Sequence, residues 1–252
     1  MAVRIGRDLV CSIWLLAFLW PIASVAAPEA GADRRLKYSA EAKDPQTGTT
    51  YYREQHTVVM SGDTPKSSKT RYFGPNGDEW AVLESTMTTP RDRFTHRFED
   101  LRTGESYGVR LDQKGVPIMF SRDTGRDPFT RRPYKSAQGA PVAVAGQGFH
   151  WLIRERILKG QMKTGDTLEF RLLIPGRFDY FSFKTVVSKQ RGDTVFISVK
   201  LASLFLRILA GAEMELIYSR STGRLLEYLG PTSLLDQNGK RIDGVKIRYK
   251  YP

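Results

Sequence analysis

The chain has 252 residues, 39 Lys and Arg against 27 Asp and Glu for a net charge of +12, and a single cysteine, Cys11. One cysteine allows no internal disulfide and excludes iron–sulfur or cysteine-zinc chemistry. The length allows one large β domain or two small ones, stabilised by core packing alone.

Residues 1–26 have the pattern of a cleavable secretory signal peptide. Arg4 and Arg7 precede an apolar run containing Trp14, Phe18 and Trp20, and Ser24 and Ala26 are the small residues expected before a cut after Ala26. The competing reading is an uncleaved anchor, but the run is shorter than the roughly 20 residues that span a bilayer. Cys11 precedes the apolar core instead of ending it, so no lipidation is expected there. The expected location is therefore the periplasm, where nucleic acid is not an expected partner. The positive charge points to an anionic membrane surface, lipopolysaccharide or acidic wall polymer, although scattered cations also fit an ordinary solvated surface.

From residue 34 to 252 the chain reads as a single antiparallel β domain. Turn chemistry recurs at short intervals, as in Asn76-Gly77, Gly165-Asp166, Gly192-Asp193 and Asn238-Gly239. Between the turns, residues alternate with period two. Weaker alternation falls at 36–42, 51–60, 80–86, 94–99, 107–111 and 116–120, and stronger alternation at 168–174, 195–201 and 245–251. The segment 125–144 holds Pro128, Pro133 and Pro141 and reads as a long Pro/Gly/Arg-rich connection. An amphipathic helix is predicted near 146–159, because Phe149, Leu152, Ile153 and Ile157 fall at helical spacing and Gly160 supplies a stop. The apolar run 204–209, which includes Leu204 and Phe205, is too short for periodicity to assign. The expected fold is all-β, a single antiparallel curled sheet or incomplete β-barrel with one helix across its opening or inside it. Two packed antiparallel sheets are the alternative. No helices alternate with the strands, which argues against a parallel α/β fold.

No catalytic, cofactor-binding or metal-ligating set emerges. His56, His96 and His150 lie far apart with no ligand spacing, and each reads as structural or surface. Asp78 and Glu79 beside Trp80 could suggest a glycosidase carboxylate pair, but Asn76-Gly77-Asp78 reads equally well as a hairpin tip. The informative excess is aromatic. Phe178, Tyr180, Phe181 and Phe183 point to both sides of one segment, so either both faces are buried or one lines a cavity. With Phe149, Trp151, Leu204 and Phe205, these are the candidate ligand-lining residues.

The run Tyr218-Ser219-Arg220-Ser221-Thr222-Gly223-Arg224, continuing through Gly230 to Asn238-Gly239-Lys240 and the last alternating segment, resembles uncharacterised proteobacterial periplasmic proteins of the domain of unknown function 3108 type. The likeness covers the C-terminal half. It implies export and a curled antiparallel sheet, and it brings no catalytic residues. The leading expectation is a non-enzymatic periplasmic binding or carrier domain for a lipid or other apolar envelope ligand. An envelope enzyme using Asp78, Glu79 or His96, and an interaction protein with a pairing sheet edge, are the alternatives.

Overall fold

The structure, a computed structural model, describes residues 33–87, 94–203 and 213–252. The expected signal peptide at residues 1–26, Leu204 and Phe205 lie outside the described residues. In chain order the strands are β1 (Asp33–Lys43), β2 (Thr50–Ser61), β3 (Thr64–Phe73), β4 (Glu79–Met87), β5 (Phe94–Asp100), β6 (Ser106–Leu111), β7 (Pro117–Arg122), β8 (Thr130–Pro133) and β9 (Ala143–Ala145). After the helix α1 (Gly148–Leu158) follow β10 (Thr167–Ile174), a 3-10 turn at Pro175–Arg177, β11 (Asp179–Arg191), β12 (Thr194–Leu201), β13 (Glu213–Ser219), β14 (Leu225–Gly230) and β15 (Val245–Lys250).

All fifteen strands among the described residues join one sheet in the order β8-β7-β6-β5-β4-β3-β2-β1-β15-β14-β13-β12-β11-β10-β9. Two meanders are therefore fused where the first strand pairs with the last, with Ala40 opposite Tyr249 and Ala42 opposite Ile247. The architecture is a single unclosed sheet, not two packed ones. Every adjacent pair is antiparallel except β9 and β10, where Val144 runs parallel beside Leu172. The segment 125–144 is more than a connection. It contains β8 and the start of β9, the two edge strands, and carries the chain from one edge of the sheet to the other.

The β9–β10 edge is managed by overlap. Leu173 and Ala145 share one face of the β9–β10 edge and pack with Phe94, Val109 and Met119 from β5 to β7. His96 lies opposite Val109, which fixes that face of β5 to β7 as the interior one. The opposite face of β10 carries Phe170, which packs with Phe183, Val144 and Ile153 in the largest core cluster. The sheet thus rolls up like a scroll, with the outer face of one edge tucked against the inner face of the other end. β10 therefore packs on both faces, through Phe170 on one and Leu173 on the other, whereas all four residues of the β8 edge strand are exposed.

α1 plugs one end of the roll. Leu152, Ile153 and Ile157 enter the large core cluster, while Trp151 packs on Tyr38, Val58 and Met60 from β1 and β2. The helix starts two residues later than its periodicity suggests, because Gly146 takes φ +48° and Gln147 forms the cap. It ends as expected at Gly160, whose N–H donates to the Ile157 carbonyl while the Gln161 N–H donates to that of Arg156. The opposite end is closed by the β14–β15 connection, which inserts Leu234 and Ile242 among Tyr52, Trp80 and Phe98.

Candidate ligand site

The interior is filled, and its filling is unusually polar along one row. On β2, Tyr52, Glu54, His56, Val58 and Met60 are all buried on one face. Gln147 Nε2 donates to Thr70 Oγ1 over 3.3 Å, Thr70 Oγ1 and His56 Nδ1 are 2.9 Å apart, and His56 Nε2 lies 2.7 Å from Glu54 Oε2. With Nε2 donating to the carboxylate and the threonine hydroxyl bonded at Nδ1, both ring nitrogens of His56 have a partner. Tyr38 stacks on the imidazole at 4.3 Å between centroids. Burial raises the pKa of Tyr52, Tyr72 and Tyr249, and the nearby Glu54 carboxylate raises it further.

Hydroxyl, imidazole and carboxylate in sequence have the parts of a nucleophilic relay. Thr70 is only 1 % exposed, however, and the recesses described below are lined by none of these three residues. No substrate carbonyl could approach, so the chain acts as a satisfied polar core that fixes β2, β3 and the lead-in to α1 to one another. Alternation along β2 pairs Glu54 and His56 with apolar neighbours on the buried row. That was the only signal in the sequence, and a glutamate there reads more naturally as a wet face.

The residues of the catalytic alternative do not gather. Glu79 is held by Arg71 through two hydrogen bonds of 2.6 and 2.7 Å. Asp78 follows the hairpin tip that closes with the Gly74 N–H donating to the Asp78 carbonyl. His96 stands opposite Ser85, six residues further along β4, which is roughly 20 Å away at the rise of a strand. Burial lowers the His96 pKa to about 4. Among the described residues no group of His, Asp and Glu is placed to hold a metal ion.

Two recesses flank α1, and Trp151 is a wall of both. The first is a cavity of about 180 Å³ between the helix and β3, β4, β5 and β9. Its apolar walls are Pro65, Met87, Phe94, Val144, Trp151 and Leu152, and Thr64 and Thr86 at its border are exposed to solvent. The Trp151 indole N–H is buried and has no hydrogen-bond partner among the described residues. The second recess, about 270 Å³, is bounded by Arg34, Arg154 and Arg224 around Tyr38, His150 and Tyr251. His150 joins the Tyr218 hydroxyl at 3.0 Å, and burial, with a smaller push from the Arg154 charge, lowers its pKa to about 3.

Of the lining candidates, Trp151 borders both recesses. Phe149 stacks on Phe170, and Phe183 is core, with Phe181 packed beside it. Phe178 precedes β11 in the left-handed conformation, with the Arg132 guanidinium over its ring. Tyr180 is 38 % exposed beneath the guanidinium of Arg171. Both faces of this segment are thus in use, chiefly for packing. Met87, Val144 and the three arginines had no sequence signal, because the cavity and the recess exist only once separate strands meet the helix.

No family model matches the chain, so the 3108-type resemblance rests on its residues alone, and no curated protein matches it either. Among solved structures, the chain is similar to a β-barrel-like protein of a domain of unknown function, DUF1849, from Brucella abortus. That likeness has 10% sequence identity and a TM-score of 0.45, covering 88% of this chain and 96% of the other.

Proposed function

We propose that the chain is an exported, non-enzymatic binding or carrier domain for an apolar envelope ligand, held in the cavity beneath Trp151. The observation that carries this reading is the cavity itself. It is a space of about 180 Å³ beside the helix that plugs one end of the rolled sheet, with mainly apolar walls and Glu155 and threonines at its border. An apolar cavity of about 150 Å³ stays dry and accepts a molecule of benzene size. The space therefore suits one ring or a short alkyl segment, not a complete two-chain lipid. The leader-like residues 1–26 and the 3108-type resemblance support export and the periplasm. The dispersal of Asp78, Glu79 and His96 removes the residues on which the enzyme reading stood.

The reading is tested by purifying the protein from its native envelope and analysing an organic extract by mass spectrometry. A stoichiometric apolar or amphiphilic compound is expected, and it should be depleted in Val144→Phe, whose ring occupies the cavity. Protein that yields no such compound, or the same amount from the filled variant, would contradict the proposal.

A further inference from the structure

The second recess has a different chemistry. Arg154 projects from α1 with its side chain only 11 % exposed, and its stem crosses Gly223, where a Cβ would stand 2.8 Å from the arginine Cγ. Its Nη1 donates to the Asp63 backbone carbonyl at 2.8 Å. Among the described residues, the only carboxylate paired with any of the three arginines is that of Asp63. It is 79% exposed, 3.7 Å from Arg154 and 3.9 Å from Arg34. Those separations are well beyond the roughly 2.7–2.9 Å of a charge-assisted hydrogen bond. Arg224 stacks over Tyr251 at 4.8 Å and pairs with no carboxylate among the described residues. His150 and the tyrosines at the base are neutral, so they do not offset the charge.

Three guanidiniums thus surround a recess of about 270 Å³ with an aromatic base, and two of them share one loosely held, solvent-exposed carboxylate. Guanidinium forks match oxyanions in bidentate fashion, and partial burial strengthens such contacts. We propose that Arg34, Arg154 and Arg224 form a binding site for a phosphate-type oxyanion, presented either by a lipid headgroup or as a free anion. The site stands independently of the apolar cavity, although the shared Trp151 wall would let one anionic amphiphile occupy both.

The test titrates the full chain at physiological salt with inorganic phosphate by calorimetry, and separately with vesicles of pure phosphatidylglycerol against pure phosphatidylcholine by co-sedimentation. Binding of at least one anionic probe is expected. Phosphate and phosphatidylglycerol together indicate a general oxyanion site, whereas phosphatidylglycerol alone indicates a headgroup site. Arg224→Gln and Arg154→Gln should weaken binding by about tenfold or more, the loss of one charge-assisted bond. Asp63→Asn, which frees two arginines, should tighten it, and a merely structural role would not produce that gain. Arg126→Gln, an exposed arginine elsewhere with the same change in charge, should have little effect. Should Arg154→Gln fail to fold, the exposed Arg34→Gln takes its place. Absence of binding to either anion, or equal loss in Arg126→Gln, would overturn the proposal. Binding of neutral fluorobenzene to the apolar cavity is measured in parallel, so failure of the anion site is distinguishable from failure of the apolar one.

Discussion

Gly146 sits at φ +48°, and a Cβ there would come within 2.1 Å of the His96 ring. Both the left-handed backbone and the close approach of the helix lead-in to β5 require glycine. Gly146→Ala is expected to lower stability by about 2 kcal/mol or more, at least the left-handed penalty of a non-glycine residue, read from urea denaturation. His96 itself, with His150, makes folding pH-dependent. Both are neutral in the folded state, with pKa values lowered to about 4 and about 3 by burial. In the unfolded chain each returns to about 6.5. The unfolded state therefore binds more protons below pH about 6.5, and stability falls as pH drops from there towards 4, by up to about 1.4 kcal/mol per unit for each histidine. Urea midpoints measured across that window should decline steeply for the parent and less so for His96→Asn. A flat profile between pH about 6.5 and about 4.5 would show that the two rings are not buried neutral.

At the scale of elements, α1 and β10 do most to define the site. The helix supplies Trp151 to both recesses and Arg154 to one, and the Gln147 hydrogen bond to Thr70 ties its start to the buried polar row. β10 is the strand covered on both sides. Leu173 faces away from the large core yet is only 1 % exposed, because it packs on β5 to β7. Leu173→Ala should therefore cost about 2–5 kcal/mol, as a core truncation does, whereas Tyr180→Ala on the same face should cost much less. Similar losses at the two positions by chemical denaturation would mean that the edge does not tuck in. The sequence made these elements legible to different degrees. Period-two alternation marked β12 and β15 directly, and Gly160 marked the end of α1. β8 and β9 were hidden because four- and three-residue strands leave no period to read, and arginines and prolines crowd their segment. The aromatics at Phe178, Tyr180, Phe181 and Phe183 announced that both faces were in use without saying which neighbour covered them.

For the whole molecule, alternation tells which residues turn inwards but not which strands are neighbours. A curled antiparallel sheet was therefore readable, while the seam between β1 and β15 and the overlap of the two edges were not. The same limit applies to the site. Trp151 could be picked out as a large apolar side chain on the predicted helix, but Met87, Phe94 and Val144 come to it from three separate strands. Glu54 is the clearest case of a tertiary environment overriding a local preference, since a glutamate in an alternating strand is usually on the wet face and this one is buried beside a structural His56. The scroll also gives the proposed function its physical basis. One end is sealed by Leu234 and Ile242 and the centre is filled by tyrosines around Glu54, so the space under α1 is where an apolar guest can enter. The central claim is that this space binds such a guest, and fluorine NMR of fluorobenzene titrated against the full chain tests it most directly. Saturable binding that is abolished in a folded Val144→Phe variant is the predicted result. No binding, or binding unchanged by filling the cavity, would contradict it.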